Sequence, residues 1–416
     1  MSSDRCFPTR GIAWPELEQA LYRFRERDHE WKLFGLDWPH RDTHIRLVGK
    51  AAGDIFYDAF LFGRQFSNPS IFPVWDQVAQ MVREIIGAPE GAHTTITTGG
   101  TESNFLATKT ARDKAKSRKP GDWVPEIVIP YTAHPSFDKA AHYLGMRIRR
   151  IRERADFRAD VRAMEDAINE RTVLIVGSAP QYPHGRIDPI PEIAALAAKH
   201  GIWCHVDACV GGFLLPFLKR LGHEIPDFSF DVPGVTSVSA DLHKFGQTPL
   251  GISTMTLRDA DDLKFQDFVF DAWPSGSLRS EGFIGSGTGR NIAAAWAVLK
   301  FLGDEGYTEQ ARRIARASEV LADGVEEMEG VEVLVRAEAG IFLFRPTDTD
   351  VRAVAEALLV KGFGVVVCEE PLAIHLFIDA PPDDRAAQDF LAALRASLED
   401  ARSGRFTGKN ARKGYS

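Results

Sequence analysis

The sequence predicts an α/β protein, with a mainly parallel sheet in a large domain followed by a smaller α+β domain. Two observations carry this prediction. Up to about residue 300, short runs rich in β-branched residues alternate with helix-like segments, which is typical of βαβ units. Beyond that point two helix-like stretches precede four closely spaced apolar runs. With 416 residues and 44% hydrophobic content, the chain is long enough to bury a large core.

The elements follow in order along the chain. The predicted strands of the large domain cover 94–98, 126–129, 173–176, 202–206, 236–239 and 252–257, and the predicted helices cover 101–116, 136–145, 160–170 and 191–200. The predicted helices of the small domain cover 291–302, 307–328, 350–361 and 384–399, with strands in VEVLVR, GIFLFR, GVVVC and AIHLFI. We therefore expect an N-terminal segment (1–60), a large domain (61–300), a small domain (301–402) and a polar, flexible tail (403–416).

Composition excludes several classes of protein. The formal net charge of -8 provides no general basic field for nucleic acid, and the run RIRRIRER at 147–154 is interpreted as a solvated strand edge or a subunit contact. The four cysteines (Cys6, Cys204, Cys209 and Cys368) lack the spacing of a disulfide framework, so we expect a reducing cytoplasm. We expect no membrane anchor, because neither a signal-peptide pattern nor a long uncharged apolar run occurs.

A lysine after a predicted buried strand is the first candidate functional residue. In SADLHKFG, Lys244 directly follows His243 at the end of the 236–239 strand. An ammonium there is costly unless it is paired, solvated or covalently modified. Taken alone, Lys244 is equally well explained as a surface lysine whose aliphatic stem is buried.

A glycine pair at a predicted strand-to-helix junction is the second candidate. In TTGGTESN, Gly100 and Thr101 open the helix, and glycine lets a ligand approach the backbone closely. The free amides of a first helical turn can hold a phosphate. The alternative is an ordinary helix start with Thr101 as the N-cap.

Two further candidates follow buried strands. Asp207, in HVDA, is a carboxylate that can keep a heterocyclic nitrogen protonated. The alternative for Asp207 is a metal site shared with His205, although the sequence has no further cluster of Cys or His at ligand spacing. The neighbouring Cys204 and Cys209 are interpreted as small buried hydrophobic residues. His134, in TAHPSFDK, can stack on a planar ring or be a satisfied loop histidine.

Together these stretches describe one chemistry. In parallel sheets, ligands bind outside the carboxyl ends of the strands, where all four stretches are expected to meet. An amine for an aldehyde, an acid for a pyridine nitrogen, a ring for stacking and a helix start for a phosphate are the requirements of pyridoxal phosphate. We also expect a partly desolvated site to lower the pKa of Lys244 and so to favour its free amine.

The same stretches resemble a known family. TTGGTESN, AHPSFDKAAHYLGM, PQYPHGRIDPIPEIAALAAKHGIWCHVDACVGGFLLPF and VTSVSADLHKFGQTPLG are similar to the pyridoxal-phosphate-dependent decarboxylase superfamily (group II decarboxylases), and most of all to its sphingosine-1-phosphate lyase branch. The resemblance runs from about residue 54 to about residue 374. It implies a type I aminotransferase-like fold, a seven-stranded type of sheet, and a homodimer whose active site is shared between subunits.

The resemblance also implies roles for individual residues. Lys244 would form the Schiff base, Asp207 would bind the pyridine nitrogen and His134 would cover the ring face. Lys244 or His243 would return a proton in the reaction. The phosphate would be held by four residues, one of them from the partner subunit: Gly100, Thr101, His243 and the partner's Ser286.

The expected reaction is carbon–carbon cleavage of an amino-alcohol or amino-acid substrate, with amino-acid α-decarboxylation as the alternative and a non-catalytic or metal-dependent protein as a third class. Departures from the family pattern bear on the substrate. Ser70 stands where the lyase branch has a histidine, and Leu250 stands where it has a lysine. We therefore expect poor turnover of a phosphorylated long-chain base, unless Arg279 or Arg290 supplies the missing charge.

Overall fold

The computed structural model describes residues 13–25, 32–33, 43–61, 67–381 and 383–409. Its helices are α1 (Trp14–Arg25), α2 (Thr43–Ile55), α3 (Phe72–Ile85), α4 (Gly100–Arg118), α5 (Ser136–Leu144), α6 (Val161–Ala167), α7 (Ile190–His200), α8 (Leu215–Arg220), α9 (Leu263–Gln266), α10 (Arg290–Glu326), α11 (Val351–Val360) and α12 (Arg385–Arg402). Its strands are β1 (Lys32–Leu33), β2 (Phe60–Leu61), β3 (His93–Thr97), β4 (Glu126–Pro130), β5 (Arg147–Ile151), β6 (Thr172–Ser178), β7 (Trp203–Asp207), β8 (Ser237–Ala240), β9 (Ser253–Leu257), β10 (Phe268–Trp273), β11 (Gly276–Ser280), β12 (Gly287–Thr288), β13 (Val331–Val335), β14 (Ile341–Pro346), β15 (Phe363–Gly364), β16 (Val366–Glu369) and β17 (Leu372–Phe377).

The large sheet has seven strands in the order β3-β9-β8-β7-β6-β4-β5. Six of them run in one direction, and β9 runs antiparallel to both of its neighbours. The strands β4, β6 and β7 are buried along their whole length, because helices cover both faces of the sheet. The predicted fold class is confirmed, including its mainly parallel seven-stranded sheet.

The arginine-rich run forms the edge of this sheet. Strand β5 carries it, and its side chains pair with acids on neighbouring elements: Arg149 Nε lies 2.6 Å from Glu126 Oε1, and Arg150 pairs with Asp138. The charges of the run are therefore partly neutralised within the chain.

A four-stranded antiparallel sheet, β13-β14-β17-β16, forms the core of the smaller domain together with α11 and α12. The long helix α10 leads into it from the large domain. This helix contains both predicted helices, 291–302 and 307–328, and is kinked between them at Gly303, whose φ of 56° lies in the left-handed region. Glycine accommodates that conformation without a Cβ clash, which explains why the kink falls there.

Parts of both terminal segments contact the rest of the chain. Most of residues 403–409 is exposed, but Phe406 packs against the core and the amide of Gly408 donates to Glu356 at 2.8 Å. The flexible tail predicted over 403–416 thus contacts the small domain in its described part, and 410–416 lie outside the described residues. In the N-terminal segment, α2 packs along α10.

An exposed hairpin was absent from the sequence prediction. Strands β10 and β11 pair antiparallel, and the side chains of Phe268, Phe270 and Trp273 are 55%, 46% and 50% exposed. The following segment leads through the short strand β12, which pairs with β2, to the start of α10. The hairpin therefore exposes apolar side chains on both of its faces.

Candidate active site

A cavity of about 330 Å³ opens at the carboxyl ends of β3, β6, β7 and β8. The loops that follow these strands and β4 supply its walls. Six of the seven predicted site residues line it: Gly100, Thr101, His134, Asp207, His243 and Lys244. Side chains that are distant in sequence meet here because parallel strands end at the same edge of the sheet.

Lys244 lies in the connection after β8 and is paired with a carboxylate that sequence reasoning missed. Its Nζ is 3.0 Å from Oδ2 of Asp241, a residue 2% exposed. Burial lowers the pKa of Lys244, but Asp241, Cys209 and Asp207 raise it, and the result is a pKa well above the ordinary lysine value. The expected lowering is therefore wrong. The side chain is an ammonium held by Asp241 at neutral pH.

Asp241 is itself fixed by several polar neighbours. Ser253, the first residue of β9, donates its hydroxyl to Oδ1 of Asp241, and His243 Nε2 lies 3.6 Å from Oδ2. One carboxylate thus contacts both His243 and Lys244. The signal for Asp241 was present in SADLHKFG, where it lies three residues before the lysine.

The glycine pair forms a cradle at the start of α4. A Cβ on Gly100 would lie 2.6 Å from Cys209 Sγ, so only glycine permits this close approach. His243 lies beside the cradle, since a Cβ on Gly99 would be 3.7 Å from its Cε1. The amides of Gly100 and Thr101 precede the first hydrogen bond of the helix, which the Glu102 amide donates to the carbonyl of Gly99 at 3.0 Å, so these two amides are available to an anion.

Thr101 is not the N-cap of this helix. Gly99 occupies the cap position and makes no side-chain cap bond. Glu102 instead accepts hydrogen bonds from the amide of Thr98 at 2.8 Å and from its hydroxyl at 2.6 Å, so it ties the strand end to the first turn. The alternative of an ordinary threonine cap is wrong.

Asp207 ends β7 as a buried anion. Its Oδ2 accepts from Nδ2 of Asn104 at 3.0 Å, and its Oδ1 accepts from the amide of Cys209 at 3.1 Å. Burial alone raises the pKa of Asp207, yet electrostatic interactions with the nearby His134 and Lys244 side chains hold the net pKa below its ordinary value. A carboxylate that stays charged in this position can bind a protonated ring nitrogen.

A chain of hydrogen bonds behind Asp207 fixes its position. His205 contacts Ser237 through Nδ1 at 2.8 Å and Asn104 through Nε2 at 3.2 Å, and Trp203 Nε1 donates to the same serine at 2.7 Å. Burial lowers the pKa of His205 to about 4, so the ring is neutral at physiological pH. Among the residues that the structure describes, no three His, Cys, Asp or Glu side chains are grouped to hold a metal.

His134 and the neighbouring cysteine complete the lining. Nδ1 of His134 accepts from the amide of Ser136 at 3.1 Å, and burial lowers the pKa of the imidazole. The ring is therefore neutral with its proton on Nε2. Cys209 is buried as expected, and its Sγ donates to Ser239 Oγ at 3.3 Å.

The remaining predicted residues lie outside the cavity. Ser286 is exposed on the segment between the hairpin and β12. Leu250 is 60% exposed, and Ser70 lies on the surface at the turn before α3. Arg290 pairs with Asp54 at 3.2 Å, and Arg279 Nε donates to Asp267 at 2.8 Å. Neither arginine reaches the cavity of its own protomer.

The residues present fit pyridoxal phosphate. At one side of the cavity, the amides of Gly100 and Thr101 and the imidazole of His243 form a cradle for a phosphate, and a glycine is required at position 100 because a Cβ there would lie 2.6 Å from Cys209 Sγ. Elsewhere the same cavity holds a buried anion that suits a pyridine nitrogen, a neutral imidazole that suits a ring face, and the Lys244 nitrogen, which can condense with an aldehyde once it has passed on its proton. The fold and the site together define a type I pyridoxal-phosphate enzyme.

Comparison with known proteins agrees with this class. The model of the pyridoxal-dependent decarboxylase conserved domain matches residues 64–347. A sphingosine-1-phosphate lyase of Arabidopsis thaliana is 39% identical over 87% of this chain and 67% of its own length. A probable L-tyrosine/L-aspartate decarboxylase of Methanothermobacter thermautotrophicus is 36% identical over 72% of this chain and 80% of its own length.

A solved structure extends the similarity to three dimensions. The sphingosine-1-phosphate lyase of Burkholderia pseudomallei superposes with a TM-score of 0.89 and 31% identity, covering 97% of this chain and 94% of that one. The chain belongs to the pyridoxal-dependent decarboxylase family and resembles its sphingosine-1-phosphate lyase branch. It is a pyridoxal-phosphate-dependent lyase. Within the described ranges no helix is both long and apolar enough to cross a bilayer.

Proposed function

We propose that this enzyme cleaves the carbon–carbon bond of an amino-alcohol or amino-acid substrate by a retro-aldol reaction. The observation that carries the proposal is the pairing of Lys244 with Asp241 beside the buried anion Asp207. Identity to sphingosine-1-phosphate lyases over most of the chain supports this reaction type. Amino-acid α-decarboxylation is the second candidate, supported by the identity to a probable decarboxylase.

Asp207, Lys244 and Asp241 have different roles in the proposed reaction. When bound, pyridoxal phosphate supplies an electron sink for one bond at the α-carbon of an amine. Asp207, as an anion, favours the protonated form of the ring nitrogen and so strengthens that sink. Lys244 Nζ carries a proton that Asp241 holds in place, and this proton is available to a carbon that gains electrons in the reaction.

The cavity favours a substrate without a phosphate. Its described lining contains three carboxylates (Glu102, Asp207 and Asp241) and the single ammonium of Lys244. With Ser70 and Leu250 in the positions of basic family residues, a phosphate dianion on the substrate meets no lysine or arginine other than Lys244 in the described lining of the cavity. We therefore propose a small or unphosphorylated amine as the preferred substrate.

We also propose a homodimer in a reducing, cytoplasmic compartment. The exposed apolar hairpin β10–β11 provides an interface, and Ser286 lies outside its own cavity, as expected for a residue that serves the partner's site. The three described cysteines, Cys204, Cys209 and Cys368, are free thiols, which suits a reducing compartment.

The test of the reaction type is product analysis on a panel of amines. Threo-phenylserine, L-threonine, sphingosine 1-phosphate, L-tyrosine and L-aspartate are incubated with the cofactor-loaded enzyme, and aldehyde and carbon dioxide are both measured. Aldehyde without carbon dioxide from a β-hydroxy amine supports the proposal. Stoichiometric carbon dioxide from an amino acid, with no aldehyde from any hydroxylated amine, establishes the second candidate instead.

A further inference from the structure

One wall of the active-site cavity is a short closed loop after β6. Pro180, Gln181 and Tyr182 line the cavity. Three internal hydrogen bonds close the loop: the Gln181 amide donates to the Arg186 carbonyl at 3.0 Å, the Gly185 amide donates to the Gln181 carbonyl at 3.0 Å, and the His184 amide donates to Gln181 Oε1 at 2.8 Å. The loop therefore moves as a unit, and whatever holds it sets the position of the wall.

The small domain holds this loop through two imidazoles. His375, in the middle of β17, donates from Nε2 to the carbonyl of Tyr182 at 3.0 Å, and the two rings lie 4.6 Å apart. His184, in the loop, donates from Nε2 to the carbonyl of Glu370 at 2.8 Å. The small domain is the donor in the first hydrogen bond, and the loop is the donor in the second.

A close backbone approach strengthens this attachment. Gly185 has a φ of 73°, and a Cβ at that position would lie 2.6 Å from the Cβ of Ile341 in β14. The next residue, Arg186, pairs with Glu338, which precedes β14. The loop thus fits against the small-domain sheet without space for a different path of its backbone.

Both imidazoles are neutral donors. Each binds a carbonyl oxygen, so Nε2 carries the proton, and each Nδ1 is buried without a hydrogen-bond partner among the described residues. Burial lowers the pKa of His184, and it lowers the pKa of His375 to about 4. The two bonds are therefore present throughout the physiological pH range.

We propose that His375 is a positioning residue for substrate selection: from the small domain it holds Tyr182, and with it the wall that contacts the substrate. His375 does not itself line the cavity. The proposal rests on the proposed function only in requiring that an amine binds beside the cofactor, and not on which bond is then broken. It makes the small domain part of the substrate site.

The test separates the two contacts of His375. His375→Phe keeps an aromatic ring beside Tyr182 and removes the donor, and His375→Gln keeps a donor and removes the ring. The exposed His142, in α5, provides the control substitution His142→Phe. Binding of threo-phenylserine and of L-tyrosine to the cofactor-loaded proteins is followed by the absorption change of the cofactor. Cofactor affinity and thermal unfolding are measured on the same samples.

We expect His375→Phe to raise the apparent Kd of at least one probe by about tenfold, because the Tyr182 carbonyl loses its donor and the wall shifts. Cofactor affinity should stay within about twofold of wild type, and His375→Gln should recover most of the probe affinity. Where turnover is measurable, KM should rise more than kcat falls.

Two results would overturn the proposal. In the first, cofactor and probe affinity fall together with thermal stability in His375→Phe, which indicates a purely structural role. In the second, probe binding is unchanged in a well-folded His375→Phe protein. Failure of the proposed reaction type leaves the test intact, because spectral binding of an amine requires neither aldehyde nor carbon dioxide as product.

Discussion

The cofactor end of the cavity and the surface around the β10–β11 hairpin differ in how their side chains are held. Asp207 and Asp241 are 7% and 2% exposed and are bound by neighbours from several elements. In contrast, Phe270 and Trp273 are about half exposed on the hairpin. The side chains for the ring nitrogen and the aldehyde are thus positioned within one chain, whereas the hairpin exposes a surface that we propose a second copy covers.

The largest expected effect comes from removing the amine of Lys244 at the cofactor end. Lys244→Ala should lower kcat by at least about a thousandfold, on the scale of other nucleophile deletions, while Lys264→Ala, on the neighbouring surface helix α9, should leave it unchanged. Borohydride reduction of the wild type followed by peptide mass mapping should find the cofactor attached to Lys244. Attachment to another lysine would show that the site is assigned to the wrong residue.

Removing the buried anion should have the next largest effect. Asp207→Ala should lower kcat by about a hundredfold to a thousandfold and weaken cofactor binding, and Asp207→Glu should lose less of both. The exposed Asp122→Ala serves as the control. Steady-state kinetics and cofactor titration measure the two losses. Near-normal activity in Asp207→Ala would contradict the role of this carboxylate at the ring nitrogen.

A charge introduced on the β10–β11 hairpin tests the proposed dimer interface. Phe270→Asp should weaken the proposed dimer by at least about thirtyfold, because the carboxylate would be buried in an apolar contact. Activity should fall with the fraction of dimer. Val360→Asp, at a residue 70% exposed on the small domain, is the matched control. Sedimentation across a concentration series gives the dissociation constant, and an active wild-type monomer would rule out a shared site.

The buried network behind Asp207 predicts a pH-dependent stability. His205 has its pKa lowered to about 4 in the folded protein, against about 6.5 when unfolded, so its contribution to stability is lost as pH falls from about 6.5 towards about 4. The destabilisation by His205→Gln should therefore be smaller at pH 5 than at pH 7.5 by about 2 kcal/mol, or about thirtyfold in the folding constant.

Urea unfolding at both pH values, with saturating cofactor, measures this change. Trp203→Phe removes a donor from the same network without removing a titrating group, so its effect should not differ between the two conditions. An equal pH dependence in both variants would mean that the titration of His205 is not its source.

The smallest expected effect lies at the surface. Leu250→Lys should improve kcat/KM for sphingosine 1-phosphate by about tenfold, since one charge-assisted contact is restored, and should leave unphosphorylated amines unaffected. Val360→Lys controls for added charge. Efficient cleavage of the phosphorylated base by the wild type, without improvement in Leu250→Lys, would show that the pocket finds its cations elsewhere.

Much of the cofactor end was predictable from the sequence, because strand ends and glycine pairs are local signals and parallel topology brings them together. Asp241 was missed as the partner of Lys244, and with it the sign of the pKa shift of that lysine, because the contact forms only when the chain turns after β8. Asn104 was missed for a similar reason. It lies one helical turn after Gly100, and its contact with Asp207 requires the packing of α4 on the sheet.

The hairpin and the loop at Pro180–Tyr182 were not predictable in the same way. A run such as FVFDAW has the composition of a core strand, and only the fold shows that its side chains are exposed. The hydrogen bond between His375 and Tyr182 joins residues that are 193 positions apart and lie in different domains, and no local sequence pattern predicts such a contact.

The antiparallel strand β9 limits how the connection that carries Lys244 can change in length. Because β9 runs back beside β8, the connection that carries Asp241, His243 and Lys244 begins and ends at the same edge of the sheet, instead of crossing to the far edge through a helix. Its two ends are fixed by strand pairing, and His243 Nδ1 is 2.7 Å from the carbonyl of Ile252 near the far end. A residue inserted into this connection would therefore displace Lys244 itself. The number of residues between β8 and β9 thus sets the position of the Lys244 nitrogen in the cavity.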